Sequence, residues 1–152
     1  MPSVVEKLQQ IGLTEYEAKI GTTFATPEEG IAEIKRAIQK SRRIRISSIP
    51  PSLLEQLKPI LKDKDLKIIL PIGQKPGEGL KQLGETATTK AKIYVDFHGK
   101  EANTGSIYFS DTVYNIVWLD DKILSISTME YGKCVKCMMG TFEGGWRYSQ
   151  KW

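Results

Sequence analysis

The chain has little of the two side chains most used in metal and nucleophilic chemistry. Its 152 residues include one histidine, His98, and two cysteines, Cys134 and Cys137. Two cysteines cannot build a disulfide framework, which agrees with a reducing compartment. A structural zinc site takes four ligands, so Cys134-Val135-Lys136-Cys137 is half of one, and the sequence holds no second pair. The pair is read as structural or free thiols, with neither metal nor cofactor. Long apolar runs are also missing: none approaches the roughly 20 residues that cross a bilayer. The opening MPSVVEKLQQIG mixes charges with apolar residues and has no continuous apolar stretch before a small-residue cleavage site, so no secretory signal is read there. The expectation is a cytoplasmic protein with no membrane partner.

What is present describes an ordinary globular chain. Apolar residues make up 40% and charged residues 26%, which excludes disordered and fibrous classes. The length fits one domain with a short extra segment at an end. A net charge of +4 and a pI near 9.0 permit contact with nucleic acid or anionic ligands without requiring it.

The central run, Ile31 to Gly73, alternates helical and strand patterns. Thr26-Pro27-Glu28-Glu29 is a helix start with Thr26 as N-cap and Glu29 at the capping-box position. The helix is expected to reach about Ser41, with Ile31, Ile34, Ala37 and Ile38 on its apolar face. Residues 42–49 alternate as a strand, with Ile44 and Ile46 inward and Arg43 and Arg45 outward or at the strand entrance. Pro50-Pro51 opens a second helix bearing Leu53, Leu54, Leu57, Ile60 and Leu61, kinked by Pro59. Leu66 to Ile72 is a second strand, apolar enough to be buried on both faces. Strands separated by helices in this way lie parallel in one sheet. Gln74 to Thr89 gives a loop, one helical turn at Leu80 and Leu83, and an irregular 86–89 stretch. Strands follow within AKIYVDF, SIYF, TVYNIVWL and KILSIST, with a tight turn at Asp120-Asp121, and TFEGGWRYSQKW forms a last helix bringing Phe142, Trp146 or Trp152 onto the sheet.

Residues 4–20, VVEKLQQIGLTEYEAKI, read as two short helices broken at Gly12. Here GLTEYEAKI resembles the opening of the winged-helix domain of the TrmB-like archaeal transcription regulator family. The chain passes at Gly21 to TTFATPEEG without a recognition helix, so docking in the major groove in the family's manner is not expected. From Ile31 onward, IAEIKRAIQKSRRIRISSIP, LLEQLKPILKDKDLKIILP, VWLDDKILSIST and the aromatic tail resemble the phospholipase-D-like domain that follows the winged helix in those regulators. The resemblance implies an α/β fold, a phospholipase-D-like mixed sheet with flanking helices over residues 23–152, preceded by a short helical N-terminal segment, 1–22, as the remnant of a winged helix. It also implies effector sensing or oligomerisation, as a homodimer or with a full-length relative, with weak or no nucleic-acid binding.

The same resemblance supplies a test for catalysis. Active phospholipase-D-like enzymes carry His-x-Lys followed after four residues by Asp. His98-Gly99-Lys100 matches the first half, and Gly105 stands where the Asp belongs. Two histidines are required, one to attack and one to protonate the leaving group, so a single copy serves only across a dimer. The stretch is therefore read as a solvent-exposed loop, no catalytic residue is assigned, and the chain is expected not to be an enzyme, a dimeric phosphodiesterase using His98 being the alternative.

Ligands of open parallel sheets bind beyond the carboxyl ends of the strands. That rule selects Ser47, Ser48 and Gln74 as candidate contacts for a small-molecule effector. His98 and Lys100 join them if the strand ending at Phe97 is parallel to the first two. Ser47 and Ser48 are equally readable as caps of the following helix. Lys35, Arg36, Lys40, Arg42, Arg43 and Arg45 form the densest basic cluster, a solvated face in one reading and a nucleic-acid contact through Lys35, Arg36, Arg42, Arg43 and Arg45 in the other. Tyr94, Phe97, Tyr108, Phe109, Tyr114 and Trp118 are assigned to core and cross-strand pairs rather than to a stacking platform.

Overall fold

A computed structural model describes residues 22–130 and 135–152, with side chains in the last stretch from 139 onward. The two short helices expected before residue 22, and the Cys134/Cys137 pair, lie outside the described backbone or side chains.

Strand β1, Thr22–Thr23, is followed by helix α1, Pro27–Lys40, strand β2, Arg43–Ser47, and helix α2, Pro51–Leu57. A 3-10 turn, Lys58–Ile60, leads to β3, Asp65–Leu70, helix α3, Glu78–Leu83, and β4, Glu85–Thr88. Then come β5, Tyr94–Phe97, β6, Lys100–Tyr108, β7, Thr112–Leu119, β8, Lys122–Glu130, helix α4, Val135–Arg147, and β9, Gln150–Lys151. One nine-stranded mixed sheet runs in the order β1-β8-β7-β6-β2-β3-β4-β9, and β5 joins it off this path by pairing with β6. Strands β2, β3 and β4 are mutually parallel, and β6 closes on β2 antiparallel.

Local chemistry accounts for the elements. Thr26 Oγ1 accepts the Glu29 amide at 3.2 Å, satisfying one of the donors left over at the start of α1. Ile34 and Ile38 of α1 are fully buried with Ile44 and Ile46 of β2, Leu53 and Leu57 of α2, and Ile68 of β3. The helix lies close on the sheet because Gly30 has no side chain: a Cβ there would stand 2.7 Å from Cβ of Ile126 on β8. Pro59 does not bend a continuous helix. Without an amide hydrogen it ends the α-helix at Leu57, and the chain tightens into the 3-10 turn. The opposite sheet face is covered by α4, whose Phe142 packs with Ile69, Tyr108 and Val113. The tail helix thus forms through Gly144-Gly145, and it carries Phe142 and Trp146 to the sheet.

Two further expectations need correction. The 86–89 stretch, expected to be irregular, is strand β4 through Thr88, and Thr86, Ala87 and Thr88 are buried. Its sequence lacks apolar alternation, but β3 and β9 supply hydrogen-bonding edges on both sides. Tertiary pairing here overrides weak local propensity. Arg45 is not outward: it is 7% exposed. Its Nη1 donates to the Asp65 carbonyl at 2.9 Å, the Ile44 carbonyl at 3.1 Å and the Asp65 carboxylate at 3.3 Å.

Asp65 faces both β2 arginines. The Arg43 hydrogen bond at 3.1 Å, with the Arg45 charge behind it, holds the Asp65 carboxyl below its usual range against a smaller opposing effect of desolvation. A depressed folded-state pKa contributes stability fully above the unfolded value, about 3.9, and the contribution disappears as pH falls through the folded value. Asp65→Asn is expected to cost about 1 kcal/mol at pH 7 in urea unfolding, a modest figure because the carboxylate is half exposed. The gap between wild type and variant should narrow below about pH 4. A gap constant down to pH 2 contradicts the assignment.

Candidate functional site

The crossover from β2 to α2 is a tight piece of backbone at the sheet's carboxyl end. Ser48 sits at φ +54°, in the left-handed region that non-glycine residues seldom occupy. Three contacts impose it. The Ser48 amide donates to the Ile69 carbonyl at 2.8 Å, and its carbonyl accepts the Trp118 indole N–H at 2.9 Å. That carbonyl also lies over Gly105 so closely that a Cβ at 105 would stand 2.4 Å from the oxygen. Backbone strain of this kind persists only where the surroundings over-determine it.

Ser47 and Ser48 do not cap α2. Pro50 occupies the N-cap position and makes no side-chain cap. The Ser52 amide is instead accepted by the Asp121 carboxylate at 3.0 Å, and Ser52 Oγ donates to the Asp121 carbonyl at 3.3 Å. Asp120 and Asp121, at φ +50° and +62°, form the expected turn between β7 and β8. One hairpin turn thereby serves a distant helix start and leaves the two serine side chains to the cleft.

That cleft has a volume of about 260 Å³ and lies at the carboxyl ends of β2, β3 and β4. Ser47 and Ser48 form one wall, Pro71 and Ile72 after β3 another, and Thr89, Ala91, Lys92 and Ile93 after β4 a third. Asn103, Thr104 and Ser106 of β6 line it from the sheet, and Phe142, Gly145 and Ser149 close the α4 side. Hydroxyl and amide groups predominate among its polar members. Lys92 is its sole charged lining residue among those described, and no carboxylate lines it. The Lys92 ammonium lies 4.8 Å from the Tyr94 ring centroid, and a hydrogen bond to Tyr94 pushes its pKa above the usual lysine value, so it is cationic throughout the neutral range. A polar row runs on across the sheet in register, Ser47 opposite Ser106, Ser106 opposite Asn115, and Asn115 opposite Ser127. Ser106 Oγ is 3.0 Å from Asn115 Oδ1.

The candidate residues divide. Ser47 and Ser48 meet in the cleft. Gln74 lines a neighbouring hollow with Lys75, Thr88, Lys90 and Trp152. His98 and Lys100 belong to neither, because β5 pairs only with β6, antiparallel, and does not join the parallel set. His98 and Gly99 are the two central residues of that hairpin turn, at φ +52° and +80°. The basic cluster is also dispersed. Arg36 pairs with Glu33 on α1, Arg43 and Arg45 converge on Asp65, and the Arg42 carbonyl accepts the Asp65 amide at 2.8 Å. Lys92, Thr89, Asn103 and Ser106 were missed by the sequence reading. The signal for Lys92 and Thr89 was the carboxyl-end rule itself, which reaches them once residues 85–88 are recognised as a strand.

No protein-family model and no curated protein sequence matches the chain. Solved structures do. Nuc from Salmonella typhimurium, a phospholipase D family member, superposes with a TM-score of 0.56 at 13% identity, over 88% of this chain and 97% of that one. The fold is phospholipase-D-like. NucT from Helicobacter pylori gives a TM-score of 0.61 at 8% identity, over 88% of this chain and 99% of that one. TrmBL2, an archaeal chromatin protein whose structure shows a novel mode of DNA binding, gives 0.57 at 10% identity. The match spans 97% of this chain but 61% of TrmBL2. Among the described residues, no helix is long and apolar enough to cross a membrane.

These neighbours overturn the expectation that the chain is not an enzyme. The exclusion rested on the broken motif at His98, whereas the fold is shared with a phospholipase D family member. The geometry explains the misstep. His98-Gly99-Lys100 is a hairpin turn, and position 105 has no room for any side chain beneath the Ser48 carbonyl. The motif is therefore not completed at this hairpin.

Trp118→Phe keeps the ring and removes the N–H. It is expected to lower stability by about 1–2 kcal/mol through the unpaired Ser48 carbonyl. It should also raise amide exchange at Ser48 well above the increase at Ile46. Equal effects at both amides would contradict the Trp118 clamp.

Proposed function

We propose that this phospholipase-D-like domain binds a small polyhydroxylated ligand bearing an anionic group, in the manner of an effector domain of a TrmB-like regulator. The observation that carries the reading is the cleft lining among the described residues: serine, threonine and asparagine residues from four segments, one cation at Lys92, and no carboxylate. A buried or half-buried polyol needs many partners of this kind, because each unpaired polar group costs affinity. A single ammonium supplies the charge-assisted contact that orients the anion. Likeness of fold to TrmBL2 over nearly the whole chain adds support for the regulator setting. The reading concerns binding and is independent of turnover.

Calorimetric titration with ribose 5-phosphate, ribose and inorganic phosphate tests it. The phosphorylated sugar should bind more tightly than either part. Lys92→Gln should weaken it by about tenfold or more, the size of a charged hydrogen bond. Stabilisation by duplex DNA alone, vanishing with added salt as counterion release requires, would overturn the reading in favour of nucleic-acid contact.

A further inference from the structure

The cleft does not end at Ile72 and Thr89. Both residues also line the neighbouring hollow, which holds Lys75, Lys90 and Trp152. The two spaces therefore share a wall, and among the described residues no Asp or Glu lines either of them. In the wall segment after β4, Lys90 lines one space and Lys92 the other. Its shape is fixed locally, for the Thr89 amide donates to the Leu70 carbonyl at 3.0 Å and the Ala91 amide to Thr89 Oγ1 at 3.2 Å.

Trp152 is held in a defined pose although it is 42% exposed. Its backbone amide donates to the Thr86 carbonyl at 3.0 Å. Its indole N–H donates to Thr88 Oγ1 at 2.7 Å, and Thr88 Oγ1 donates in turn to the Gln74 carbonyl at 2.5 Å. The ring's polar edge is thus satisfied, and what remains toward the hollow is π surface with the Lys75 ammonium 5.7 Å from its centroid. An exposed, hydrogen-bonded indole has already lost the freedom that a bound planar group would otherwise have to remove. Such a ring favours stacking with any base, because every base presents a π-face. Lys75 rides on a flexible stem and can exchange the ring face for a phosphate oxygen.

We propose that the ligand is a nucleotide, its base stacked on Trp152 in the second hollow and its sugar phosphate in the cleft against Lys92. The inference rests on the cleft reading above and adds the base to it. The saddle at Ile72 and Thr89 carries the glycosidic link, and Lys90 and Lys75 hold any further phosphate.

The test compares adenosine 5′-monophosphate with ribose 5-phosphate by calorimetry on the full chain and on Trp152→Ala and Trp152→Phe. In wild type the nucleotide should bind about tenfold or more tighter, as base–aromatic stacking supplies. That preference should collapse toward one in Trp152→Ala and survive in Trp152→Phe. Equal affinity of the two probes in wild type, or a preference that Trp152→Ala leaves intact, overturns the stacking site while the cleft reading stands. Failure of both probes to bind overturns both. Circular dichroism of the variants separates lost binding from lost folding, and Lys90→Gln, which leaves the indole in place, should weaken adenosine 5′-diphosphate more than the monophosphate.

Discussion

The left-handed turn at Ser48 is the constraint on which the site depends. It lets β2 end at Ser47 and still start α2 four residues later, at Pro51, and it places one carbonyl against both the Trp118 indole and the bare backbone at Gly105. Those contacts tie the parallel strands to the antiparallel half of the sheet. Ile69 of β3, Trp118 of β7 and Gly105 of β6 all converge on one residue. The strain of a non-glycine residue at positive φ is of order 1–3 kcal/mol. It is offset by two hydrogen bonds in a region where unpaired backbone groups would be costly.

From that turn the cleft follows by geometry. Parallel strands bring the segments after β2, β3 and β4 to one end of the sheet, and β6 lies antiparallel beside β2 so that its middle, Asn103 to Ser106, lines the same space. Polar side chains from distant parts of the sequence meet there without needing a carboxylate among them. The charge is supplied by the wall after β4, where lysines alternate with small residues. The negative groups of the region are engaged elsewhere: Asp65 holds Arg43 and Arg45 at the amino ends of the strands, and Glu85 lies beside Lys67. The described residues that line the two spaces thus include lysines and no carboxylate, which suits an anionic ligand.

The α-β-α-β core was legible because periodicity carries it. Ile34 and Ile38, Ile44 and Ile46, and Leu53 and Leu57 follow helix and strand spacing closely, and all are buried. The Thr26 cap and the Asp120-Asp121 turn were legible because their backbone chemistry is local. What could not be read depends on partners remote in sequence. Strand β4 owes its existence to neighbours on both sides, and Arg45 is buried because Asp65, twenty residues on, lies beside it. The stretch at His98 misled in the other direction. A three-residue match to a catalytic pattern is built around the two-residue turn of a hairpin, His98-Gly99. Lys92 and Trp152 carry no motif, and only the folded sheet sets them on two sides of one wall.

The central claim is that ligands enter at the carboxyl ends of β2, β3 and β4. The most direct measurement is an amide chemical-shift map of the labelled protein titrated with a phosphorylated sugar. The account predicts that the largest shifts fall at Ser48, Thr89, Lys92 and Asn103, extending toward Trp152 when a base is attached. Shifts concentrated on α1 around Lys35 and Arg36, or on the His98–Lys100 hairpin, with the Ser48 amide unmoved, would contradict it.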